Sequence, residues 1–380
     1  MDIRKSMLFF ISPLFFLVSC SDDEQINISS IQKKEIYEIK QPAKSNISRG
    51  LILSNINNSL NVNEIEKGLM DLSVNHFSTK KFYMQEGQYL DKKIINQWLD
   101  RKSKEGVGLN PSIKNNTGDV LEDEKNNPKI LSHVLEQNFI NKESGKIEGM
   151  SLAISLNEFY DIRVSDDKGL VYTDQVKVDT NEDNVNDVEN YGKEIAGTII
   201  KDIRNNEKIP NVPIYVTLYQ ESNKNDIIPG IFLAETFIPE GEDKIDKWID
   251  IDRENYTFPS DSLYSLDKDT YNNKLLIFKE DIQESFKHLN LKIIGKLRYE
   301  NGKLTDLKID INVPLIKDTE LIGLLQLTST KLNTILLTST KLNTISFDYI
   351  PVTIRIIDQK QDVGIIIWDP TENQIYATPI

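Results

Sequence analysis

The chain has 380 residues, a formal net charge of −14 at pH 7 and a single cysteine. Its excess of carboxylates argues against nucleic acid as a partner. A single cysteine excludes a disulfide framework and thiolate-rich metal sites, so a hydrophobic core must hold the folded part together.

The first 20 residues have the pattern of an exported lipoprotein leader. Residues 1–5 carry two basic side chains, and residues 7–18 are almost entirely apolar but too short to span a bilayer as a mature helix. The sequence LVSC at 17–20 matches the lipobox of bacterial prolipoproteins, in which the small Ser19 admits a signal peptidase and the Cys20 thiol accepts a diacylglyceryl group.

We therefore expect cleavage between Ser19 and Cys20, and a protein held at the extracytoplasmic face of the cell membrane by lipid on Cys20. Two acyl chains, such as palmitate, suffice as an anchor. The alternative is an ordinary signal peptide that happens to precede a cysteine. We assign residues 1–19 to the signal peptide and residues 20–48, which are polar and lack periodicity, to the lipidated cysteine and a flexible tether.

Local signals after the tether predict several short elements. Residues 50–53 are predicted to form a short strand, and Asn63 precedes an apolar stripe with helical spacing. Asp91 is predicted to cap a second helix, and Asn127-Pro128 to begin a third one. The polar stretch 102–126 is predicted to be a surface loop.

A hairpin, a helix and a strand occur in that order twice. Alternating apolar residues follow the turn at 143–147, and they also flank Asn301-Gly302, the preferred pair for a two-residue hairpin turn. A helix and then a strand led by Pro213 or Pro351 follow each hairpin. A chance recurrence is the alternative to duplication, because such elements are common.

These patterns predict an α+β fold with two structurally related halves, 49–225 and 226–380, each an antiparallel sheet backed by helices. The second connecting helix is unusual, because residues 327–335 are repeated without change at 337–345. β-branched and hydroxyl residues are poor in helix interiors, so the repeat is equally compatible with a longer helix, a loop or a strand pair.

No motif in the chain points to catalysis, to a cofactor or to a metal centre. The three histidines, His76, His133 and His288, are isolated, with structural or surface roles expected, and no nucleophile or phosphate-loop motif is present. The acidic segment 179–183 imitates the start of an EF-hand loop, but Asn184 and Asn190 replace its essential Gly and Glu. We interpret this segment as a solvated loop, and the protein as a non-enzyme.

Seven short segments together resemble one family, the CamS lipoproteins associated with the sex pheromone cAM373 in Gram-positive bacteria. In chain order they are 49–51 (RGL), 66–70 (EKGLM), 85–91 (QEGQYLD), 108–111 (GLNP), 127–129 (NPK), 131–138 (LSHVLEQN) and 228–230 (IPG). Three of them, 85–90, 108–111 and 228–232, combine polar residues with turn formers, so they could line a binding surface or serve as structural turns.

The resemblance implies that the leader itself is a functional product. In this family a short hydrophobic peptide is cut from the end of the signal peptide, and signal peptidase together with an intramembrane protease would release it. The corresponding residues here are Pro13, Leu14, Phe15, Phe16, Leu17, Val18 and Ser19. Pro13 departs from the family pattern. The implied partner of the peptide is a receptor in recipient cells.

Three hypotheses follow for the whole protein, and the third is an envelope enzyme. The first is a surface lipoprotein that is the precursor of a pheromone-like peptide and whose body is a non-catalytic binding or interaction module. The second is an extracytoplasmic substrate-binding or cell-envelope interaction lipoprotein with no pheromone role.

Overall fold

The computed structural model describes residues 36–104, 108–114, 116–166, 168–178, 187–260, 269–340 and 349–380. These residues belong to one compact body. No helix within them is long and apolar enough to cross a membrane. The predicted signal peptide, the predicted lipidation site and the acidic segment 179–183 lie outside the described residues.

The first half contains five helices and eight strands within the described residues. The helices are α1 (Arg49–Asn55), α2 (Ser59–Ser73), α3 (Lys92–Leu99), α4 (Val120–Asn126) and α5 (Asp187–Asn205). The strands are β1 (Phe82–Glu86), β2 (Leu131–Asn141), β3 (Ile147–Asn157), β4 (Phe159–Ser165), β5 (Val171–Lys177), β6 (Ile214–Glu221), β7 (Ile231–Ile238) and β8 (Ile249–Asp250). The sheet has the order β1-β2-β3-β6-β7-β8, while β4 and β5 form a separate hairpin.

The second half repeats this sheet. Its helices are α6 (Asp269–Ser285) and α7 (Asp318–Thr340). Its strands are β9 (Arg253–Phe258), β10 (Lys292–Glu300), β11 (Lys303–Val313), β12 (Val352–Asp358), β13 (Gln361–Asp369) and β14 (Gln374–Pro379). They lie in the order β9-β10-β11-β12-β13-β14, so each strand has a counterpart at the same place in the first sheet.

The predicted fold of two related α+β halves is therefore confirmed, with one refinement. Each sheet is antiparallel except for one central pair, β3 with β6 in the first and β11 with β12 in the second. A helix precedes the second strand of each pair, α5 in the first half and α7 in the second. Such a crossover returns the chain to the same end of the sheet, which makes the pair parallel.

Both faces of the first sheet are covered, and this explains one wrong prediction. The segment after Asn127-Pro128 is strand β2, not a helix, and all of its residues are buried between the helices on either side. Burial on both faces removes the alternation by which a strand is recognised. Asn127 instead ends α4, where its amide donates to the Asp123 carbonyl at 2.8 Å. The predicted loop 102–126 thus contains a helix.

The predicted strand at 50–53 is also wrong, because these residues belong to α1. Ile52 and Ile56 are buried while Leu53 is exposed, which is the spacing of a helix face and not of a strand. By contrast, the helices predicted after Asn63 and after Asp91 are confirmed as α2 and α3, although α2 begins earlier, at Ser59, with Asn58 as its cap.

The tether and the boundary between the halves both differ from expectation. The last part of the predicted flexible tether lies against the body: Ile39 forms a bridge with Met84 of β1, and Tyr37 is buried. The boundary placed at 225/226 falls inside the first sheet, because β7 and β8 complete that sheet. The chain changes sheets between Asp250 and Arg253.

The tandem repeat continues α7 as far as the structure describes it. Leu332 and Leu336 are buried on one face of the helix. The hydroxyls of Ser329, Thr330 and Thr334 each donate to the carbonyl four residues earlier, at 2.8–3.0 Å. This local bonding satisfies these three hydroxyls within the helix, and burial of Leu332 and Leu336 supplies the packing that stabilises it despite an unfavourable composition. Residues 341–345, the end of the second copy, lie outside the described residues.

Candidate functional site

A cleft of about 750 Å³ opens at the carboxyl ends of β3 and β6, the parallel pair of the first sheet. Asn157 and Glu221 end these two strands and line the cleft. The connection between α1 and α2 forms a second wall, and the β4–β5 hairpin forms a third. The carboxyl ends of parallel strands are where open α/β sheets commonly bind ligands, and the volume is typical of small-molecule sites.

The floor of the cleft holds a carboxyl group between two serines. Ser132 and Ser155 both donate a hydrogen bond to the Glu221 Oε1 atom, the latter at 2.7 Å. A β-bulge between Leu131 and His133 leaves Ser132 unpaired in the ladder and turns its side chain toward Glu221. Burial raises the pKa of Glu221 to about 7, although the two serine hydroxyls act in the opposite direction.

The β4–β5 hairpin is fastened over the sheet by one carboxylate. Asp161 accepts hydrogen bonds from Asn57 and Gln175, both at 2.8 Å, and from the Lys224 ammonium. On its other side the Tyr160 hydroxyl donates to Glu124 at 2.7 Å. These contacts hold the wall in place, so the cleft is largely preformed.

The three histidines have separate structural surroundings. His76 stacks on Phe237 with ring centroids 4.8 Å apart, and His288 is exposed beside Glu320. His133 lies on β2 and not on the expected helix, and burial lowers its pKa to about 4. None of the three lines the described part of the cleft.

The polar segment 85–90 has a structural role as a loop wrapped around a buried carboxylate. The Glu136 carboxylate accepts hydrogen bonds from the backbone N–H groups of Gln88, Tyr89 and Leu90, at distances from 2.7 to 3.2 Å. Burial raises the pKa of Glu136, while these bonds oppose the shift. The loop therefore positions α3 against the sheet.

The other two polar segments also serve the fold. Asn110 is fully buried; its side chain donates to the Leu99 and Leu131 carbonyls and accepts from the backbone of Ile130 and Leu131. Gly230 lies so close to the β6 backbone that an added Cβ would be 1.9 Å from the Gln220 carbonyl oxygen. The contacts favour the structural alternative for all three segments.

The residues that form the cleft floor were missed by sequence reasoning. Ser132 and Glu221 are 89 positions apart, and no local spacing links them. Ser132 also lies in the segment that was predicted to be a helix. The predicted lipidation and cleavage residues, Ser19 and Cys20, and the peptide at 13–19 lie outside the described residues, so they stay predictions.

Two six-stranded sheets of one topology, with a ligand-sized cleft in the first, define a class of duplicated α+β proteins. The chain belongs to the CamS family: the model described as "CamS sex pheromone cAM373 precursor" matches residues 44–374.

Two solved structures are similar over most of their length. One is the C-terminal domain of the sex pheromone staph-cAM373 precursor from Staphylococcus aureus, with 27% identity and a TM-score of 0.66, covering 86% of this chain and 98% of that one. The other is the sex pheromone precursor from Lactobacillus salivarius subsp. salivarius UCC118, with 25% identity and a TM-score of 0.72, covering 88% and 92%. No curated protein matches the chain significantly.

Proposed function

We propose that this chain is a membrane-anchored surface lipoprotein whose signal peptide is processed to a hydrophobic pheromone-like peptide, and whose body is a non-catalytic binding module. Membership of a family described as a sex pheromone precursor carries the proposal. The leader supplies the second support, because an apolar segment ends at the lipobox 17–20.

The chemistry of the leader suits both products. Signal peptidase leaves a free carboxylate on Ser19, and a second cut inside the membrane frees the amino end of Pro13. The released peptide carries no charged side chain and partitions readily into apolar pockets. Cys20 then becomes the first residue of the anchored protein, and its acyl chains contribute about 0.8 kcal/mol per buried methylene.

The cleft supports the binding role of the body. Ser132 and Ser155 both donate to Glu221, and no histidine lines the described part of the cleft, so the Ser–His pair of most serine hydrolases is absent there. The preformed walls instead offer hydrogen-bonding groups to a small polar ligand.

Mass spectrometry of culture medium and membranes from one culture tests the leader. We expect the free peptide 13–19 in the medium and a diacylglyceryl-modified Cys20 at the amino end of the membrane protein. An intact leader on the membrane protein, or a mature chain beginning elsewhere, would contradict the proposal.

Substitution of the anchor gives a second test. Cys20→Ala removes the thiol, so we expect release from the membrane or an uncleaved leader on fractionation. Ser21→Ala, one residue beyond the lipobox, is the matched control and should leave both lipidation and location unchanged. Membrane-bound, acylated Cys20→Ala protein would refute the assignment of the anchor.

The second candidate, a binding lipoprotein without a pheromone role, is favoured by the cleft alone. Synthetic peptide 13–19 separates the two functions, with a scrambled peptide of the same composition as control. A clumping or conjugation response to the native order alone supports the pheromone. No response in any responder strain leaves the second candidate.

A further inference from the structure

The walls of the cleft are rich in uncharged hydrogen-bonding side chains that reach solvent. They include Ser54, Asn55, Asn157, Thr173 and Ser222. Amides and hydroxyls each combine donor and acceptor groups, which is what the hydroxyls of a sugar or polyol require. The half-buried rings of Phe159 and Tyr160 add apolar faces against which the C–H groups of a sugar ring can pack.

The acidic side chains of the cleft are already engaged. Asp161 pairs with Lys224, and Asp174 pairs with Lys125, each with nitrogen and oxygen 2.5 Å apart. Glu221 is buried under two serine hydroxyls, and burial raises its pKa to about 7, so it carries less negative charge near neutral pH than an exposed carboxylate does. Little negative charge is left to repel an anion.

Two basic side chains of the cleft are not engaged. Lys129 and Arg163 both line it, and neither side chain has an ion-pair or hydrogen-bond partner among the described residues. The cleft therefore has a surplus of positive charge on a chain whose net charge is −14. Such a local surplus in a concave site attracts anions, and guanidinium groups match carboxylate and phosphate oxygens well.

We infer that this cleft binds a small anionic polyol, a sugar or glycerol unit carrying one carboxylate or phosphate, with Lys129 and Arg163 as the anion-binding side chains and the amide and hydroxyl walls as the polyol-binding ones. The inference rests on the binding-module part of the proposed function and names its ligand class. Carboxylated amino sugars and glycerol phosphates share this chemistry, and they occur in different envelope polymers.

Isothermal titration of the full-length protein in detergent with three probes tests the inference. N-acetylmuramic acid carries a carboxylate, glycerol 3-phosphate carries a phosphate, and N-acetylglucosamine is neutral. We expect at least one anionic probe to bind about tenfold or more tightly than the neutral one, with an affinity that falls as salt is added. Whichever anion binds identifies the source of the charge.

Variants locate the site. Arg163→Gln and Lys129→Gln should each weaken binding of the anionic probe by about tenfold, because each removes a charge-assisted contact. Lys168→Gln is the matched control: Lys168 is an exposed cation in the turn of the same hairpin and does not line the cleft. An equal loss in Lys168→Gln, or no loss in the two cleft variants, would overturn the assignment of these side chains.

The outcomes separate the two levels of the proposal. Equal binding of all three probes would overturn the anionic class and leave the cleft as a binding site. No binding of any probe would overturn the ligand class and remove the support that the cleft gives to the binding module. The lipid anchor and the released peptide are judged independently by mass spectrometry.

Discussion

Burial shifts the pKa of two side chains on the first sheet in opposite directions. The pKa of Glu221 is raised to about 7 and the pKa of His133 is lowered to about 4, because in each case burial disfavours the charged form. The folded state favours the neutral form of each group. For Glu221 this is the protonated acid, which is present at low pH, and for His133 it is the neutral imidazole, which is present at high pH. Each residue therefore makes the stability of the protein depend on pH with its own sign.

Glu221 should lower stability as the pH rises. Its folded pKa lies above the ordinary value of 4.5, so its stabilising contribution is complete below pH 4.5 and is lost as the pH rises through about 7. In Glu221→Gln one oxygen still accepts from both serines, but the group cannot ionise. The free energy of unfolding of the wild type relative to this variant should fall by about 3 kcal/mol across the window.

Urea unfolding at several pH values from 4 to 8 measures this difference. Glu143→Gln, in the exposed turn between β2 and β3, is the control and should give a curve parallel to the wild type. Parallel stability curves for the wild type and Glu221→Gln would show that the pKa of the Glu221 carboxyl group is not shifted.

His133 should act in the opposite sense. Its folded pKa lies below 6.5, so its contribution is present above pH 6.5 and is lost as the pH falls through about 4. His133→Gln should therefore lose less stability between pH 6.5 and 4 than the wild type does. The exposed His288→Gln is the control, and NMR titration of the His133 ring checks the shift directly. A ring that titrates near pH 6.5 would contradict the prediction.

At the scale of elements, the fold depends on loops held by buried side chains. The Glu136 carboxylate gathers three consecutive backbone N–H groups of the loop before α3, and Asn110 joins the end of α3 to the start of β2. Buried backbone groups need such partners where no ladder supplies them. In α7 the hydroxyls of Ser329, Thr330 and Thr334 bond to backbone carbonyls of their own helix.

Glu136→Gln should destabilise the loop between β1 and α3. An amide nitrogen cannot accept from the backbone N–H groups, so at least one buried donor loses its partner. We expect a loss of about 2–4 kcal/mol in the free energy of unfolding, from urea titration. Hydrogen exchange should also become faster at residues 88–90 in particular. A general loss of packing would instead speed exchange in other parts of the protein as well. Glu143→Gln, in the exposed turn after β2, is the control, and equal effects of the two would contradict the role.

At the scale of the whole molecule, a buried ion network joins the two halves. Glu64 of α2, in the first half, contacts Arg298 of β10 and lies 3.5 Å from the Arg253 guanidinium of β9. Arg253 also pairs with Glu300 at 2.9 Å and packs over the Phe232 ring of β7. Glu64 and Arg253 are almost fully buried, so the network works only while the halves remain together.

Glu64→Gln should weaken this junction. Removing one partner of a buried network leaves a guanidinium without its counter-charge, and such changes cost about 3–5 kcal/mol. We expect calorimetry to show a lower melting temperature and a transition that divides into two as the halves uncouple. Lys67→Gln, which removes a charge from the exposed side of the same helix, is the control. A single transition at the wild-type temperature in Glu64→Gln would contradict a coupling role.

The local chemistry of the chain determined much of the secondary structure. Asp91 caps α3, Asn301-Gly302 turns the β10–β11 hairpin, and the alternation at 150–157 marks β3. The repeated order of hairpin, helix and strand predicted the two related halves. The cap, the turn and the alternation can be recognised in the sequence because each involves residues only a few positions apart.

Tertiary structure alone decided the rest. The apolar spacing after Asn127 suits a helix, and only pairing with β1 and β3 makes this segment a strand. The predicted leader at 1–20 is the reverse case, since the pattern from which export is predicted consists entirely of neighbouring residues. The cleft floor unites Ser132, Ser155 and Glu221 from three strands. Side chains so distant in sequence meet only after the sheet has formed, because strand pairing, and not local spacing, sets which ends lie together.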